Sequence, residues 1–568
     1  MPIIPNIPRK THARLRNVPD DFIAWPYVDT LYDYTQILGE APIFSFPDGP
    51  PPPGSVAIIG AGAAGMVAAY ELLKSGIVPV VYEATDRIGG RNWSKYFTNH
   101  GAPTNVIAEM GAMRIPVSNK VFWHYADLFR METTDFPDPG SVPTTLYYEN
   151  TPYPWLPGQN PPGPFQKIST DFHKFVNPMM EEIWKPWQKK DWKGVQAVWQ
   201  RYIKRYANKT FFEALAEGIP QWTAEDLNAF GALGMGSGGF GPLYEINFLE
   251  MLRILVNQWE VEQKLIKGGI NELTDRFYHC PVRMPDGRRE SLASLGAVRF
   301  DTLVTRLEQG PGKNLKVTSF DRKTQKRTAH QASAVIVATT TRAMEILIGL
   351  TLSDKNMVAQ KVKNAVRNLH LMDSSKMFIR TATKFWLDSN GKPLPGMPQN
   401  IQTDELPRGV YCLDYPQTEN GVVLISYTWG DDSSKLLGLD VPTRFQTFKH
   451  ILNVIHPQFA RNLVPVNDEI LNIDWEAEPY HYGAFKLQYP GQEPDIHAAY
   501  YQFLSVMDPG RDTGLYLAGD SVSWSGGWTE GALQTGLNAA CAAAKRLGAS
   551  LPVDSPLSQN PNLYHYGS

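Results

Sequence analysis

The sequence predicts an α/β protein built on a β-α-β unit, and three observations carry that expectation. Val56-Ala57-Ile58-Ile59 is a short apolar run followed at once by Gly60-Ala61-Gly62-Ala63-Ala64-Gly65. A stretch of helical composition, Met66 to Lys74, comes next and Gly76 stops it; Val78 to Tyr82 then reads as a second strand closing on Glu83. Far downstream, Ser333–Thr339 and Gly514–Ala518 are further continuous apolar runs of the kind that buried strands show.

The remaining segments are read in chain order. Residues 1–53 form an N-terminal extension without clear periodicity, ending in the stiff spacer Pro50-Pro51-Pro52-Pro53. Residues 150–230, with Trp155, Trp184, Trp187, Trp192, Trp199 and Trp222 among prolines, lysines and glutamates, read as mostly helical. Alternation in Val422–Tyr427 predicts a mixed sheet, and Ala532–Leu547 a helix. The expected partition is a discontinuous nucleotide domain (54–119, 265–345 and 500–550), a mostly helical subdomain (120–264) and a mixed-sheet substrate domain (346–499). A loosely held tail (551–568) completes it.

Composition excludes several classes. At 568 residues the chain has room for two to four domains of ~150 residues each, and 43% hydrophobic with 20% charged residues rules out wholesale disorder. The net charge is −3, which argues against a general nucleic-acid binder. Cys280, Cys412 and Cys541 are far apart and form no C-x-x-C, so neither a disulfide framework nor a cysteine zinc site is expected. The 12 histidines form no metalloprotease pair, no metal site is expected, and no G-x-S-x-G elbow is present. Met1–Asn17 is basic without an apolar h-region, and the apolar stretch Val56–Leu73 is interrupted by glycines; a soluble, cytoplasmic protein without membrane association is expected. The sequons at Asn92 and Asn208 read as chance matches.

The glycine turn carries the first chemistry. A Rossmann-like G-x-G-x-x-G needs Gly60 for a tight turn, Gly62 for close approach of a pyrophosphate, and Gly65 for helix–strand packing. The N-terminus of the helix that follows offers unpaired N–H groups to phosphate, and Ala63 and Ala64 in the turn are expected to touch the cofactor. Glu83, 18 residues after Gly65, can accept hydrogen bonds from a ribose and would repel a 2′-phosphate, leaving NAD or FAD. A second pair, Gly89-Gly90, with Arg91 supplies a cation for the pyrophosphate. Gly519-Asp520 at a strand end and the helix that follows form a distant second site. An NAD dehydrogenase does not require that site, so FAD is the expected cofactor.

Around these anchors the sequence resembles the flavin amine oxidase superfamily, in particular its bacterial L-amino acid oxidase/2-monooxygenase branch. The motifs are V-A-I-I-G-A-G-A-A-G (56–65), V-Y-E-A (81–84), R-I-G-G-R (87–91), A-E-M-G-A-M-R-I-P (108–116), S-S-K-M-F (374–378) and G-L-Y-L-A-G-D-S-V-S-W-S-G-G-W-T-E-G-A-L-Q-T (514–535). F-P-D-P-G (136–140), G-M-G-S-G-G-F (234–240), R-G-V-Y-C-L-D-Y (408–415), S-Y-T-W (426–429) and Y-G-A-F-K (482–486) extend it over about residues 55–548.

The resemblance implies an FAD-dependent oxidation of L-α-amino acids by dioxygen, with hydrogen peroxide formed. The products would be a 2-oxo acid and ammonia, or an amide and carbon dioxide. It implies that Arg114, reached through the small turn Gly111-Ala112-Met113, holds the substrate carboxylate, for which a planar guanidinium fork is suited. Lys376, leading straight into an apolar strand, would hold a water at the flavin and assist the reaction with dioxygen. Tyr427 would reach the same carboxylate, Trp528 and Thr529 with Gly527 would face flavin and substrate, and Trp475 would pack near the ring. Leu243 and Trp259 offer an apolar side-chain pocket, favouring aromatic or broad specificity. Against it stands a cationic substrate held by Glu245 or Glu260. A monoamine or polyamine oxidase and an NAD-dependent dehydrogenase remain as rival readings, and a homodimer is expected.

Overall fold

The computed structural model describes residues 32–557, apart from 48, 50, 234–238, 261 and 355. The β-α-β unit forms as β1 (Val56–Ile59), α1 (Ala63–Lys74) and β2 (Val80–Tyr82). α1 begins three residues before Met66, directly at the glycine turn, because Gly62 is its N-cap. All four residues of β1 are buried, as a strand covered on both faces requires. The unit belongs to a five-stranded parallel sheet in the order Val298–Arg299, β2, β1, Ala334–Val337, Leu515–Leu517. The Thr529–Arg546 helix packs across α1; a Cβ on Gly536 would stand 2.5 Å from the Ala64 carbonyl oxygen, so a glycine is what permits this approach. Both helices therefore aim their N-termini at one end of the sheet.

A seven-stranded mixed sheet forms the second layer. Its order is Ile470–Asp474, Ser374–Thr381, Gly421–Trp429, Gly409–Leu413, Asn400–Thr403, Thr144–Tyr148, Thr151–Trp155. Within the span 120–264, expected to be mostly helical, the strands Thr144–Tyr148 and Thr151–Trp155 thus join the mixed sheet. The helices Phe165–Gln188, Trp192–Tyr206, Phe211–Gly218, Ala224–Ala232 and Phe248–Val256 form the helical part, with Trp187 and Trp199 buried in it. The glycines up to Gly238 in the 234–240 motif lie outside the described residues.

Two expectations about the ends change. Within the extension, Tyr32, Tyr34, Ile37 and Phe44 are buried in the core of the nucleotide domain, and the Tyr34 hydroxyl meets that of Tyr500 at 2.7 Å. The segment after Ser550, expected to be loosely held, is pinned through Leu557: Ser550 pairs with Ser45, and Ser555 and Leu557 are buried. Aromatic and apolar side chains, too sparse there to show a period, dock the segment on a neighbouring core. All three cysteines are free. Asn92 is buried against Thr529, whereas Asn208 is exposed. Among the described residues no helix is long and apolar enough to cross a membrane.

Candidate active site

One long cavity runs from the carboxyl ends of the parallel strands to the mixed sheet. Gly60, Glu83, Thr339 and Asp520, each just beyond a parallel strand, line one part; Lys376 and Tyr427 on the mixed sheet line another. Such a crevice at the carboxyl ends of strands is where an α/β sheet binds its ligand.

The cofactor part follows from local chain geometry. Gly60 has φ +100°, and a Cβ there would lie 2.6 Å from the Ala338 carbonyl oxygen. A Cβ on Gly62 would meet nothing nearer than 3.9 Å, so this glycine leaves open the space into which a ligand comes. Neither the α1 N-terminus nor that of Thr529–Arg546 has a side-chain cap, and Ala63, Ala64, Trp528 and Thr529 all line the cavity. Their N–H groups are thus available to an anion. Glu83 accepts from the backbone N–H of Ala61 at 2.8 Å and of Thr85 at 2.9 Å, which holds its carboxylate at the cavity wall. Arg91 and Gly90 also line it, and Arg91 forks onto Asp520 and donates to the Ala484 carbonyl at 2.8 Å. These donors and the glycine cradle fit a dinucleotide such as FAD.

At the other end, the turn Met110–Arg114 is laced to the preceding segment: Met110 N–H donates to Trp93 and Ala112 N–H to Arg91. Gly111 is required there, because a Cβ would lie 1.7 Å from the Arg91 carbonyl oxygen. The turn presents Gly111, Ala112, Met113 and Arg114 to the cavity. The Arg114 guanidinium lies 3.6 Å from the Glu260 carboxylate, with both side chains nearly buried. It also bonds the Tyr427 hydroxyl. Burial pushes the Glu260 carboxyl up to about 8, although Arg114 pulls the other way.

Lys376 stands opposite Tyr427 in adjacent antiparallel strands. Its Nζ donates to the carbonyls of Glu109 at 3.0 Å and Gly111 at 2.6 Å, and burial pushes its pKa down to about 7. Trp475 donates its Nε1–H to the Met110 carbonyl at 2.9 Å and lines the cavity beside Gly111. Leu243, Gly527, Trp528 and Gly519 line it as well.

Two residues named from the sequence stand one layer back. Gly65 does not reach the cavity; a Cβ there would lie 2.0 Å from the Gly60 carbonyl oxygen, so its part is the tight helix–strand packing. Trp259 is buried behind Trp528, ring centroids 5.7 Å apart, and shapes the wall through it. Glu245 is exposed and off the cavity. Sequence reasoning missed His481, Trp429 and Phe485, which also line it. His481 and Phe485 flank the Gly483-Ala484 step of a motif already noted, and Trp429 closes the S-Y-T-W motif, without a signal of its own that it faces the cavity.

The fold and the cradle define a flavin-dependent oxidoreductase. Residues 63–544 match the model of the flavin containing amine oxidoreductase family, and the chain belongs to it. The protein is an FAD-dependent enzyme. It is 38% identical to a tryptophan 2-monooxygenase of Pantoea agglomerans pv. gypsophilae, over 95% of this chain and 98% of that one. It is 37% identical to another tryptophan 2-monooxygenase, from Pseudomonas savastanoi, over 95% and 99%. An L-amino-acid oxidase of Echis ocellatus is 25% identical over 86% and 88%. In fold it is similar to cyclohexylamine oxidase from Brevibacterium oxydans IH-35A, with TM-score 0.65 and 20% identity, covering 87% of this chain and all of that one.

Proposed function

We propose that this enzyme oxidises L-α-amino acids, with aromatic or broad side-chain specificity. The observation that carries the reading is Arg114 beside Tyr427 in the cavity that holds the cofactor cradle. An amine without a carboxylate has no use for a buried guanidinium at that place, and the relatives named for amino acids support the same reading.

When bound, FAD would supply the two-electron acceptor, with dioxygen as the final oxidant. The chain's own residues orient and exclude. Arg114 and the Tyr427 hydroxyl fix the carboxylate, which sets the direction of the hydrogen-bearing carbon, and such orientation removes much of the barrier. Leu243 and Trp528, backed by Trp259, enclose an apolar side chain. In its protonated form Lys376, already donating to two carbonyls, keeps a third donor for a water or for reduced oxygen in the cavity. With O2 and water, an amino acid gives a 2-oxo acid, ammonia and hydrogen peroxide; with O2 alone it gives an amide, carbon dioxide and water.

A basic substrate has less support. Glu245 faces solvent, and Glu260 is engaged by Arg114 instead of waiting for a side-chain cation. The test is a product assay for ammonia, peroxide, carbon dioxide and amide with L-Trp, L-Phe, L-Lys and L-Arg. Turnover of the aromatic pair is expected; turnover of the basic pair alone overturns the preference, and amines oxidised in place of amino acids overturn the whole reading.

A further inference from the structure

An ammonium group cannot give up a hydride from the neighbouring carbon, because positive charge would build on nitrogen that already carries it. The substrate must shed a proton inside or before the site, and the cavity holds a group suited to receive it. Glu83 accepts from the amides of Ala61 and Thr85, and Asp520 is forked by Arg91. Glu260 is the carboxylate at the Arg114 end among the described lining residues. Its contact with Arg114 is one long ion pair of 3.6 Å.

Charge counting gives this pair a second meaning. When Glu260 is ionised it balances Arg114, the two side chains being only 7% and 9% exposed. A zwitterion adds one charge of each sign and leaves that sum unchanged. If the ammonium then lost its proton to solvent, a net negative charge would remain buried, which is costly. If the proton moves to a carboxyl within the site, the sum stays at zero.

We propose that Glu260 takes the proton that the substrate ammonium sheds once the carboxylate rests on Arg114. The inference rests on the amino-acid reading above. The N–H bond breaks with its electron pair left on nitrogen, an O–H bond forms on the Glu260 carboxylate, and no oxidant is consumed. Arrival of the substrate carboxylate favours the transfer, since it shares Arg114 and adds a like charge. The groups facing Glu260 act in known directions: Arg114 holds the carboxyl down, while burial and Asp138 push it up to about 8. The Gln263 amide donates to it at 3.5 Å, and Tyr427 lies across the guanidinium.

The productive complex then carries one proton shared between amine and Glu260, so kcat/KM for an L-amino acid rises and falls with pH. In Glu260→Gln only the amino acid that has already lost its proton reacts. The alkaline fall is expected to vanish, and kcat/KM to drop about tenfold per pH unit below the substrate amine's pKa. An unchanged bell in Glu260→Gln overturns the proposal. A second reading needs no turnover: an arylacetate, which has the carboxylate but no amine, should bind the unmodified holoenzyme at pH 9 with uptake of about one proton, seen by calorimetry in buffers of different ionisation enthalpy. Glu260→Gln should bind it without uptake. Absence of uptake by the unmodified enzyme overturns the proposal even if the variant fails to retain flavin. Failure of all L-amino acids as substrates would instead sink the functional reading.

Discussion

The Lys376 ammonium lies 4.7 Å from the centre of the Tyr427 ring, the two residues facing each other across neighbouring antiparallel strands. One register thus sets both the lysine over the Met110–Arg114 turn and the tyrosine hydroxyl on Arg114. A slip of either strand by one residue would turn its side chain to the opposite face of the sheet and part the pair. The catalytic end of the cavity is a property of strand pairing as much as of side-chain identity.

Arg114→Lys keeps a positive charge but loses the fork and the bond to Tyr427. It should lower kcat/KM for L-amino acids by about 1.5–3 kcal/mol, roughly 10- to 150-fold, the worth of a charged hydrogen bond. Flavin content should be unchanged. Steady-state kinetics beside a flavin absorbance spectrum checks both, and an unaffected kcat/KM would take the carboxylate off Arg114.

Lys376→Met should separate the two halves of the reaction. Reduction of the flavin by substrate without oxygen keeps its rate, while reoxidation by dioxygen slows on the order of 100-fold, as for removal of a positioned acid or base. Stopped-flow absorbance follows each half alone. Equal slowing of both would assign the lysine to holding the Gly111 turn instead.

The glycines of the turn should fail differently. Gly65→Ala drives a methyl group into the Gly60 carbonyl and should cost about 1–3 kcal/mol or more of stability. Gly62→Ala has room in the protein and should fold with nearly its full thermal stability, yet bind FAD weakly. Melting curves of the flavin-free proteins, and flavin titrations, distinguish the two outcomes.

His481 makes the fold sensitive to acid. Burial, with Arg87 and Arg91 nearby, lowers its imidazole from 6.5 to about 3. Above pH 6.5 the ring is neutral in folded and unfolded chains alike. As pH falls, the unfolded chain takes up a proton that the folded one refuses, so stability is lost by about 1.4 kcal/mol per pH unit down to the folded value. His481→Phe keeps a ring against Trp475 and should show a shallower loss of Tm between pH 6.5 and 5.

What the sequence discloses here is chemistry confined to a short stretch. Gly60, Gly62 and Glu83 are legible because strand, turn, helix and strand follow one another, and the cradle is assembled within a single β-α-β unit. The Met110–Arg114 turn is legible for the same reason. The meeting of Arg114 with Glu260 is not, because it brings together a turn after one strand and a loop after a distant helix. The sequence names Glu260 only as a carboxylate for a cationic substrate; proximity to Arg114 gives it another use. Trp259 shows the converse limit, since an apolar residue type indicates a wall without telling which layer of the wall it occupies.

The parallel sheet takes its strands from places scattered along the chain, and its edge strand Leu515–Leu517 and the helix beginning at Thr529 come late. A ribosome has therefore released most of the polypeptide before the flavin's berth has all its walls. Cofactor capture has to be an event of the finished chain, and truncation before Leu515 should yield a product that no excess of FAD can rescue.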